Sequence, residues 1–289
     1  MSQPNSHSIS AQGMNFAIHE WGEQYRGQQP SLVLIHATGF HARCWDQVIA
    51  HLGPRHIIAL DQRGHGGSDA PVFHNWAEFG EDLIAVLTAL ELSQVEAVGH
   101  SMGGHASVAA AAKQPALFSK LLLIDPVIME PGFYSMWDDK VLKGEPQHPA
   151  ARRRSEFSNR DEMYERYRER LPFSLFTEAA MRDYCQYGLI DCDTGVRLAC
   201  SPSFEARIYD SACSNQQILQ QATEVAIPVT VARSLQPKKP EDIMDFRYSP
   251  TWNQLASQFP QGRDVLLEQL THFMPMQDPQ QVAELIREL

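Results

Sequence analysis

The sequence predicts an α/β protein with a mostly parallel sheet, helices on both faces of that sheet and a helical lid inserted after the sixth strand. Three observations indicate this fold. Short apolar runs recur along the chain, segments with helical spacing separate several of them, and the alternation stops over one long stretch, residues 127–223. Buried parallel strands are near-continuous apolar runs, and strands that alternate with helices form a parallel sheet covered on both sides.

The strands can be placed in order along the chain. The opening segment ISAQGMNFAIHEWG, residues 9–22, predicts one or two antiparallel strands at the edge of the sheet. Six later runs have the length and apolar content of buried strands. These runs are SLVLIH (31–36), HIIAL (56–60), VEAVG (95–99), LLLID (121–125), IPVTVA (227–232) and DVLLEQL (264–270).

Four segments carry apolar residues at the spacing of an amphipathic helix. The last of them has the clearest start, because Asp278 can cap its N-terminus, Pro279 occupies the first helical position and Gln281 follows three residues after the cap. The four segments are CWDQVIAHL (44–52), WAEFGEDLIAVLTALEL (76–92), SMGGHASVAAAAKQ (101–114) and DPQQVAELIREL (278–289).

The stretch from residue 127 to residue 223 predicts a separate unit. Segments such as DEMYERYRERLPFSLFTEAAMRDYCQYG, residues 161–188, have a helical pattern, and no β-type run interrupts them. An insertion between two parallel strands leaves the sheet at its carboxyl edge, where open α/β sheets bind ligands. We therefore expect residues 1–126 and 224–289 to form the core and residues 127–223 to form a helical cap over the site.

Composition and charge exclude several classes of protein. The chain has 24 basic and 35 acidic side chains, a formal charge of −11, and no basic strip of the kind that binds nucleic acid. Its five cysteines are odd in number and form no C-x-x-C pair, which predicts neither a disulfide framework nor a zinc site. No apolar stretch approaches the ~20 residues that span a membrane, and the N-terminus does not resemble a leader. We expect a cytoplasmic protein without nucleic-acid or membrane partners.

The residues VGHSMGGHA, 98–106, contain the pattern G-x-S-x-G between an apolar run and a helical segment. In that context the pattern predicts a sharp strand-to-helix turn that exposes a nucleophilic serine. Gly99 and Gly103 make room for the close backbone packing that such a turn requires. The first N–H groups of the following helix point at the same place, so the Met102 N–H can stabilise an oxyanion beside Ser101.

Three further stretches carry the motifs of one superfamily. LVLIHATGF (32–40) is similar to a first strand and oxyanion loop, ALDQRGHGGSD (59–69) to a D-x-R-G-x-G-x-S segment, and LTHFMPMQDPQQVAELI (270–286) to a closing histidine loop and helix. With the serine motif, they make the chain resemble the α/β-hydrolase superfamily, in its lidded esterase, lactonase and dehalogenase-like branch. The resemblance covers nearly the whole chain outside residues 127–223.

The resemblance implies roles for individual residues. Ser101 is the nucleophile, which excludes the aspartate-based chemistry of dehalogenases and epoxide hydrolases. The Thr38 N–H joins the Met102 N–H in the oxyanion hole, although Ala37 stands where the superfamily usually has glycine. A serine at its ordinary pKa is a poor nucleophile and needs a base, and His272 matches the superfamily's histidine in that role.

The acid that would orient this histidine has three candidates. In most resembling proteins a carboxylate follows the strand after the lid, but here Ser234 and Pro237 occupy those places. Asp125 ends the preceding strand, and some lidded members carry their acid there. Both strand ends open on the same edge of the sheet, which favours Asp125, with Asp242 and Asp245 as the alternatives.

Other residues are assigned to the pocket and its surroundings. Asp61 and Arg63 in the D-x-R-G segment are expected to shape a loop behind the site and to take no part in the chemistry. The proposed chemistry requires no metal ion and no organic cofactor. The expected substrate-binding side chains are one histidine that resembles the superfamily's pocket-floor residue and three aromatics, namely His36, Phe133, Trp137 and Trp252.

These features lead to one main hypothesis and two alternatives. The main hypothesis is a serine hydrolase that cleaves a small or medium carboxylic ester, lactone or thioester through an acyl-enzyme, with a small acyl compound as its partner. The same residues could instead cleave a carbon–carbon bond of a β-diketone or vinylogous ketone. The third hypothesis is a non-catalytic ligand-binding protein with this fold. Only two features support it: no acid follows the strand after the lid, and Ala37 replaces the usual glycine.

Overall fold

A computed structural model describes residues 3–138, 144–239, 242 and 245–289, so residues 139–143 of the expected cap lie outside it. Within the described residues, eleven strands occur in two sheets. The strands are β1 (Asn5–Ala11), β2 (Met14–Trp21), β3 (Leu32–Ile35), β4 (Ile57–Leu60), β5 (Val95–His100), β6 (Phe118–Ile124), β7 (Glu156–Phe157), β8 (Leu189–Cys192), β9 (Gly195–Leu198), β10 (Val229–Arg233) and β11 (Gly262–Leu266).

The main sheet has the strand order β1-β2-β4-β3-β5-β6-β10-β11. Strand β2 pairs antiparallel with both β1 and β4, and the remaining neighbours are parallel. The predicted fold class, a mostly parallel sheet with an antiparallel edge, is thereby confirmed. Every predicted strand is present, with boundaries shifted by a few residues.

The helices connect and cover these strands. Asp278 caps the last of them, since its side chain accepts a hydrogen bond from the Gln281 N–H at 3.0 Å, as the sequence predicts. None of the helices in the described part of the chain is long and apolar enough to cross a membrane. The helices are α1 (Asp46–Ala50), α2 (Ala77–Ala89), α3 (Met102–Lys113), α4 (Pro131–Ser135), α5 (Arg160–Tyr167), α6 (Glu178–Tyr187), α7 (Pro202–Asp210), α8 (Ile218–Glu224), α9 (Met274–Gln277) and α10 (Pro279–Arg287).

The centre of the main sheet is buried on both faces, because β3 and β4 are apolar and buried at every position. In β3, Val33 and Ile35 join the core beneath α2, α3 and α8, whereas Leu32 and Leu34 join the core beneath α1 and α10. Successive side chains of a strand point to opposite faces, so a continuous apolar run serves both cores at once. This burial fixes the carboxyl ends of the parallel strands, where the candidate site lies.

The region between β6 and β10 differs from the expected all-helical cap. Strands β7, β9 and β8 form a three-stranded antiparallel sheet within it, so the prediction that no strand interrupts residues 127–223 is wrong. These strands are only two to four residues long, and β8 and β9 meet at a turn in which Gly195 has φ +135°. Acidic residues around that turn hide the short apolar pattern.

The same region also packs on the core near its end. Helix α8, most of which falls inside the expected cap, contributes Ile218 and Ala222 to the core on one face of the main sheet. The other part of the region has its own apolar cluster, which includes Met163, Met181 and Tyr184 together with Phe40 of the core. The division of the chain at residues 126 and 224 stays a prediction.

Candidate active site

Ser101 occupies a sharp turn between β5 and α3. Its backbone has φ 57° and ψ −116°, a combination that L-residues rarely adopt. The flanking glycines are required by space: a Cβ on Gly99 would lie 2.3 Å from the Gly103 carbonyl oxygen, and a Cβ on Gly103 would lie 2.3 Å from the Ile35 carbonyl oxygen. The Ser101 N–H donates to the Ile124 carbonyl at 2.9 Å, which fastens the turn to β6.

Three side chains predicted from the sequence lie in hydrogen-bonded order. The Ser101 Oγ is 3.1 Å from His272 Nε2, and His272 Nδ1 is 3.3 Å from Asp125 Oδ2. All three residues are buried, with Asp125 completely shielded from solvent. A nucleophile hydrogen-bonded to a base, which a third group orients, is the arrangement that activates serine for acyl transfer.

Asp125 is held by more than the histidine. It accepts a hydrogen bond from the Ser234 N–H at 2.9 Å, a second from the Ser234 hydroxyl and a third from the Ser249 hydroxyl at 2.5 Å. Burial acts to raise the pKa of Asp125, but the hydrogen bonds from His272, Ser234 and Ser249 outweigh it and leave the pKa below its usual range. The carboxylate therefore stays ionised although it is buried.

The structure separates the three acid candidates. Asp242 accepts from the backbone N–H groups of Lys238 and Lys239 at 3.1 and 3.0 Å, and Asp245 forms an ion pair with Arg247. Only Asp125 of the three is hydrogen-bonded to His272. Ser234, which follows β10 where resembling proteins carry the acid, instead supports the carboxylate at the end of β6.

The loop after β3 presents a free backbone donor to the same place. The Gly39 N–H donates to His65 Nε2 at 2.9 Å and the Phe40 N–H donates to the Ala37 carbonyl at 3.2 Å. Within the described residues, the N–H groups of Thr38 and Met102 donate to no protein acceptor. Both residues are buried. Two free, buried N–H groups beside a nucleophile suit the stabilisation of an oxyanion.

The alanine in this loop causes no backbone strain. The left-handed position is Gly39, with φ +77°, and Ala37 does not lie in the left-handed region. A side chain at Gly39 would also collide with Glu205, because an added Cβ would lie 2.6 Å from Glu205 Oε1. The loop therefore does contain the glycine that its left-handed position requires, at residue 39, two residues after Ala37.

Two buried histidines hold the loop from behind. His36 Nδ1 donates to the Ala37 carbonyl at 2.8 Å, and its Nε2 accepts from the Gln62 N–H at 3.0 Å. Burial, with a smaller effect of the neighbouring His65, lowers the pKa of His36 to about 3, and burial lowers the pKa of His65 to about 4. Both rings are therefore neutral near pH 7, with their nitrogens committed to the backbone.

A third histidine positions the candidate base. His100 Nε2 donates to the His272 carbonyl at 2.8 Å, and the two ring centres are 5.1 Å apart. Burial and the charge that His272 can carry lower the pKa of His100 to about 3. Sequence reasoning missed this contact with the histidine loop, for which the position of His100 beside Ser101 was the only signal.

The D-x-R-G segment lies behind the site, as expected. Asp61 accepts from the Ala42 N–H at 2.7 Å and from the Gly67 N–H at 2.8 Å. Arg63 forms a buried ion pair with Asp82. In the part of the chain that the structure describes, no cluster of three or more His, Cys, Asp or Glu side chains is arranged to hold a metal ion.

Ser101 and His272 open on an apolar cavity of about 120 Å³, and none of the four predicted pocket residues lines it. Phe133 and Trp252 line a different groove, beside the ends of β10 and β11. The backbone N–H of Trp252 donates to the Ile128 carbonyl at 2.9 Å, and its side chain packs against the core. His36 points into the oxyanion loop, and Trp137 is half-buried beyond α4. The cavity wall instead includes residues that sequence reasoning missed, among them Trp76, His148, Tyr209 and Phe246.

Part of this chain is similar in sequence to proteins named as an esterase/lipase and as a lactonase. A putative esterase/lipase of Haemophilus influenzae is 36% identical over 125 residues, which cover 42% of this chain and 42% of that protein. 3-Oxoadipate enol-lactonase 2 of Acinetobacter baylyi is 31% identical over 118 residues, which cover 40% of this chain and 43% of that protein. The matches span only 33% to 43% of the length of the curated relatives.

The fold is shared with solved structures along the whole chain. The crystal structure of E-2-(acetamidomethylene)succinate hydrolase superimposes with a TM-score of 0.76 over 99% of this chain and 98% of that chain, at 21% identity. The model of the alpha/beta hydrolase family matches residues 32–285, a range that includes Ser101, Asp125 and His272. This chain belongs to the alpha/beta hydrolase family.

Proposed function

We propose that this protein is a serine hydrolase that cleaves a carboxylic ester or lactone of a small molecule through an acyl-enzyme. The observation that carries the proposal is a buried relay, from Ser101 Oγ through His272 to Asp125 at 3.1 and 3.3 Å, that faces a cavity beside the free N–H groups of Thr38 and Met102. Hydrolytic activity follows from the family, and the preference for an ester bond is the further step taken here. Relatives named as an esterase/lipase and as an enol-lactonase support that step.

The geometry supports a two-step reaction. His272 Nε2 takes the Ser101 proton while the oxygen attacks the carbonyl carbon, and the ionised Asp125 stabilises the imidazolium. The N–H groups of Thr38 and Met102 hold the negative oxygen of the tetrahedral intermediate. His272 then gives its proton to the leaving alcohol, and an acyl group remains on Ser101. A water molecule, deprotonated by the same histidine, releases the acid.

The two alternative functions predict different products. A carbon–carbon hydrolase would convert a β-diketone to a ketone and an acid, and a non-catalytic binding protein would turn over neither substrate class. The same serine can attack a ketone carbonyl, so the assay includes product identification by mass spectrometry. Release of a carboxylic acid and an alcohol from an ester, with the β-diketone left intact, supports the ester assignment.

The test is hydrolysis of p-nitrophenyl acetate and butyrate by the wild-type protein and two serine variants. Ser101→Ala should lower kcat by about 10⁶-fold. Ser107→Ala removes a buried hydroxyl that donates to the Gly103 carbonyl on the same helix, and it should retain turnover. Full activity of Ser101→Ala would overturn the proposed function. Absence of ester turnover by the wild-type protein, with turnover of the β-diketone, would favour the carbon–carbon alternative.

A further inference from the structure

Two chambers meet above Ser101. The inner cavity, of about 120 Å³, contains Ser101 and His272, and an outer chamber of about 400 Å³ lies beside it. Five residues line both spaces and so form the partition between them, namely Phe40, His148, Tyr209, Phe246 and Phe273. A substrate that reaches Ser101 and is larger than the inner cavity must extend across this partition.

The position of the base indicates which half of the substrate lies on each side. The histidine that takes the serine proton later gives it to the leaving group, so that group must lie beside the His272 ring. The ring stacks on Phe246, with centres 6.4 Å apart, and meets the edge of Phe273 at 5.6 Å. Both aromatics belong to the partition. The leaving group is therefore directed towards the outer chamber.

The acyl group then occupies the inner cavity. Trp76, Val127 and Ala212 are among the residues that line this cavity and do not line the outer chamber. Trp76 is rigidly held, because its Nε1–H donates to the Ile208 carbonyl at 3.0 Å and its ring is 99% shielded from solvent. At about 120 Å³, this cavity is the smaller of the two spaces, since the outer chamber has about 400 Å³.

We propose that the inner cavity, the smaller of the two spaces, restricts the acyl group to a short chain, and that Tyr209 is the residue that sets this limit. The inference rests on the proposed ester hydrolysis and specifies its substrate: a short-chain acyl ester whose larger half is the alcohol. The outer chamber is more than three times as large as the inner one, so it accepts long alcohols.

Tyr209 is well placed for this role. Its ring lies 4.4 Å from the His148 ring and 5.5 Å from the Phe246 ring, which closes the partition with three aromatic groups. Its hydroxyl oxygen is 3.5 Å from the Thr38 carbonyl, so the ring lies directly against the oxyanion loop. Removing the ring joins the two chambers, whereas removing only the hydroxyl leaves the wall in place.

The test compares two ester series on the wild-type protein. One series varies the acyl chain from acetyl to decanoyl with p-nitrophenol as the constant leaving group, and the other varies the alcohol from methyl to decyl with a constant acetyl group. One excess methylene in a closed apolar pocket costs about tenfold or more in kcat/KM. We expect kcat/KM to fall at least tenfold between butyryl and hexanoyl esters and to change little along the alcohol series.

Variants of the cavity wall test which residue limits the length of the acyl chain. Tyr209→Ala should raise the hexanoyl-to-acetyl ratio of kcat/KM by about tenfold, the cost of one excluded methylene, and Tyr209→Phe should keep the wild-type ratio. Ala212→Leu should lower the butyryl-to-acetyl ratio of kcat/KM, because the larger side chain fills part of the inner cavity. Ala116→Leu, at an exposed position remote from the cavity, is the matched control and should change neither ratio.

The outcomes distinguish the acyl-length limit from the proposed ester hydrolysis on which it depends. A wild-type protein that hydrolyses no ester in either series overturns the proposed function, and the inference with it. A protein that hydrolyses the esters but shows no acyl-length limit, or a steep limit along the alcohol series, overturns the inference alone. The role of Tyr209 is overturned if Tyr209→Ala folds, hydrolyses acetyl esters and keeps the wild-type length profile.

Discussion

The molecule contains two relays of serine, histidine and carboxylate, at opposite edges of the main sheet. The first joins Ser101 and His272 at the carboxyl ends of the parallel strands. In the second, at the amino ends, Ser31 Oγ is 2.6 Å from His56 Nδ1, and His56 Nε2 is 2.7 Å from Glu20 Oε1. The second relay has the shorter hydrogen bonds. Distances within a relay therefore do not identify an active site.

The surroundings of the two serines differ in ways that decide their chemistry. The Leu32 N–H, which follows Ser31, donates to the His56 carbonyl at 3.0 Å in the sheet ladder, whereas the Met102 N–H begins a helix and is free. Ser31 has an ordinary backbone conformation and lines a shallow surface groove. An oxyanion beside Ser31 would have no comparable donor. Ser101 has the donors, the enclosed cavity and the strained turn together, which is what acyl transfer requires.

The carboxylates also differ. Asp125 receives hydrogen bonds from Ser234, Ser249 and His272, and its burial is complete. Within the described residues, the side chain of Glu20 receives one hydrogen bond, from His56. The second relay provides hydrogen bonds to buried polar groups at the edge of the sheet. The first holds an ionised carboxylate that can stabilise the positive charge formed on His272.

The largest expected effect comes from the two serines. Ser101→Ala should lower kcat for p-nitrophenyl acetate by about 10⁶-fold, the loss that follows removal of a triad nucleophile. Ser31→Ala should leave kcat unchanged and lower the free energy of unfolding by about 1 kcal/mol through the lost hydrogen bond. Steady-state kinetics and urea denaturation measure the two quantities. Loss of turnover in Ser31→Ala with an intact fold would show that the comparison is wrong.

The next largest difference in kcat is expected between variants of the two carboxylates, Asp125 and Glu20. Asp125→Asn should lower kcat by about 10⁴-fold, because the amide no longer stabilises the imidazolium or its tautomer. Glu20→Gln is the matched substitution in the second relay and should keep the wild-type kcat. The same kinetic assay measures both. Equal kcat for Asp125→Asn and the wild-type protein would remove Asp125 from the mechanism.

A smaller effect is expected where the hydroxyls support Asp125. Ser234→Ala removes one donor but keeps the backbone N–H bond to the same carboxylate. We expect kcat to fall by about tenfold, equivalent to about 1.4 kcal/mol of transition-state stabilisation. Ser119→Ala, which removes a hydroxyl bond to the Val95 carbonyl away from the site, serves as control. An unchanged kcat in Ser234→Ala would mean that this hydroxyl has no part in holding the acid.

The smallest effect concerns acid stability. The pKa of Asp125 lies below the ordinary value of 3.8, so its ionised form stabilises the folded protein at higher pH. That contribution is present above about pH 4 and is lost as the pH falls through the lowered pKa of the folded state. The free energy of unfolding should therefore fall more steeply below about pH 4 in the wild-type protein than in Asp125→Asn. Parallel curves from urea denaturation would contradict this.

Much of the architecture could be predicted from local pattern. The parallel strands are continuous apolar runs, and the G-x-S-x-G turn sits between a strand and a helix, so the position of Ser101 followed from the sequence. His272 followed in the same way, since its loop precedes a capped helix. Asp125 was favoured because two neighbouring parallel strands end on one edge, and β6 and β10 do pair.

The pocket could not be predicted, because its wall is assembled from distant segments. His148, Tyr209 and Phe246 come from three separate parts of the chain, and only tertiary packing brings their rings together. Phe133 and Trp252 have suitable side chains, yet both line a groove on another side of the molecule. Sequence pattern fixes which strand end a residue occupies, whereas the direction of a cap side chain depends on the packing of short elements.

The most direct test of the comparison is the location of a fluorophosphonate adduct in the folded wild-type protein. Such a reagent phosphonylates a serine that a neighbouring base has activated, and peptide mass spectrometry identifies the modified residue. We expect one adduct, on Ser101, and an unmodified Ser31 in protein that has lost its ester hydrolysis. An adduct on Ser31, or complete loss of activity without an adduct on Ser101, would contradict this expectation.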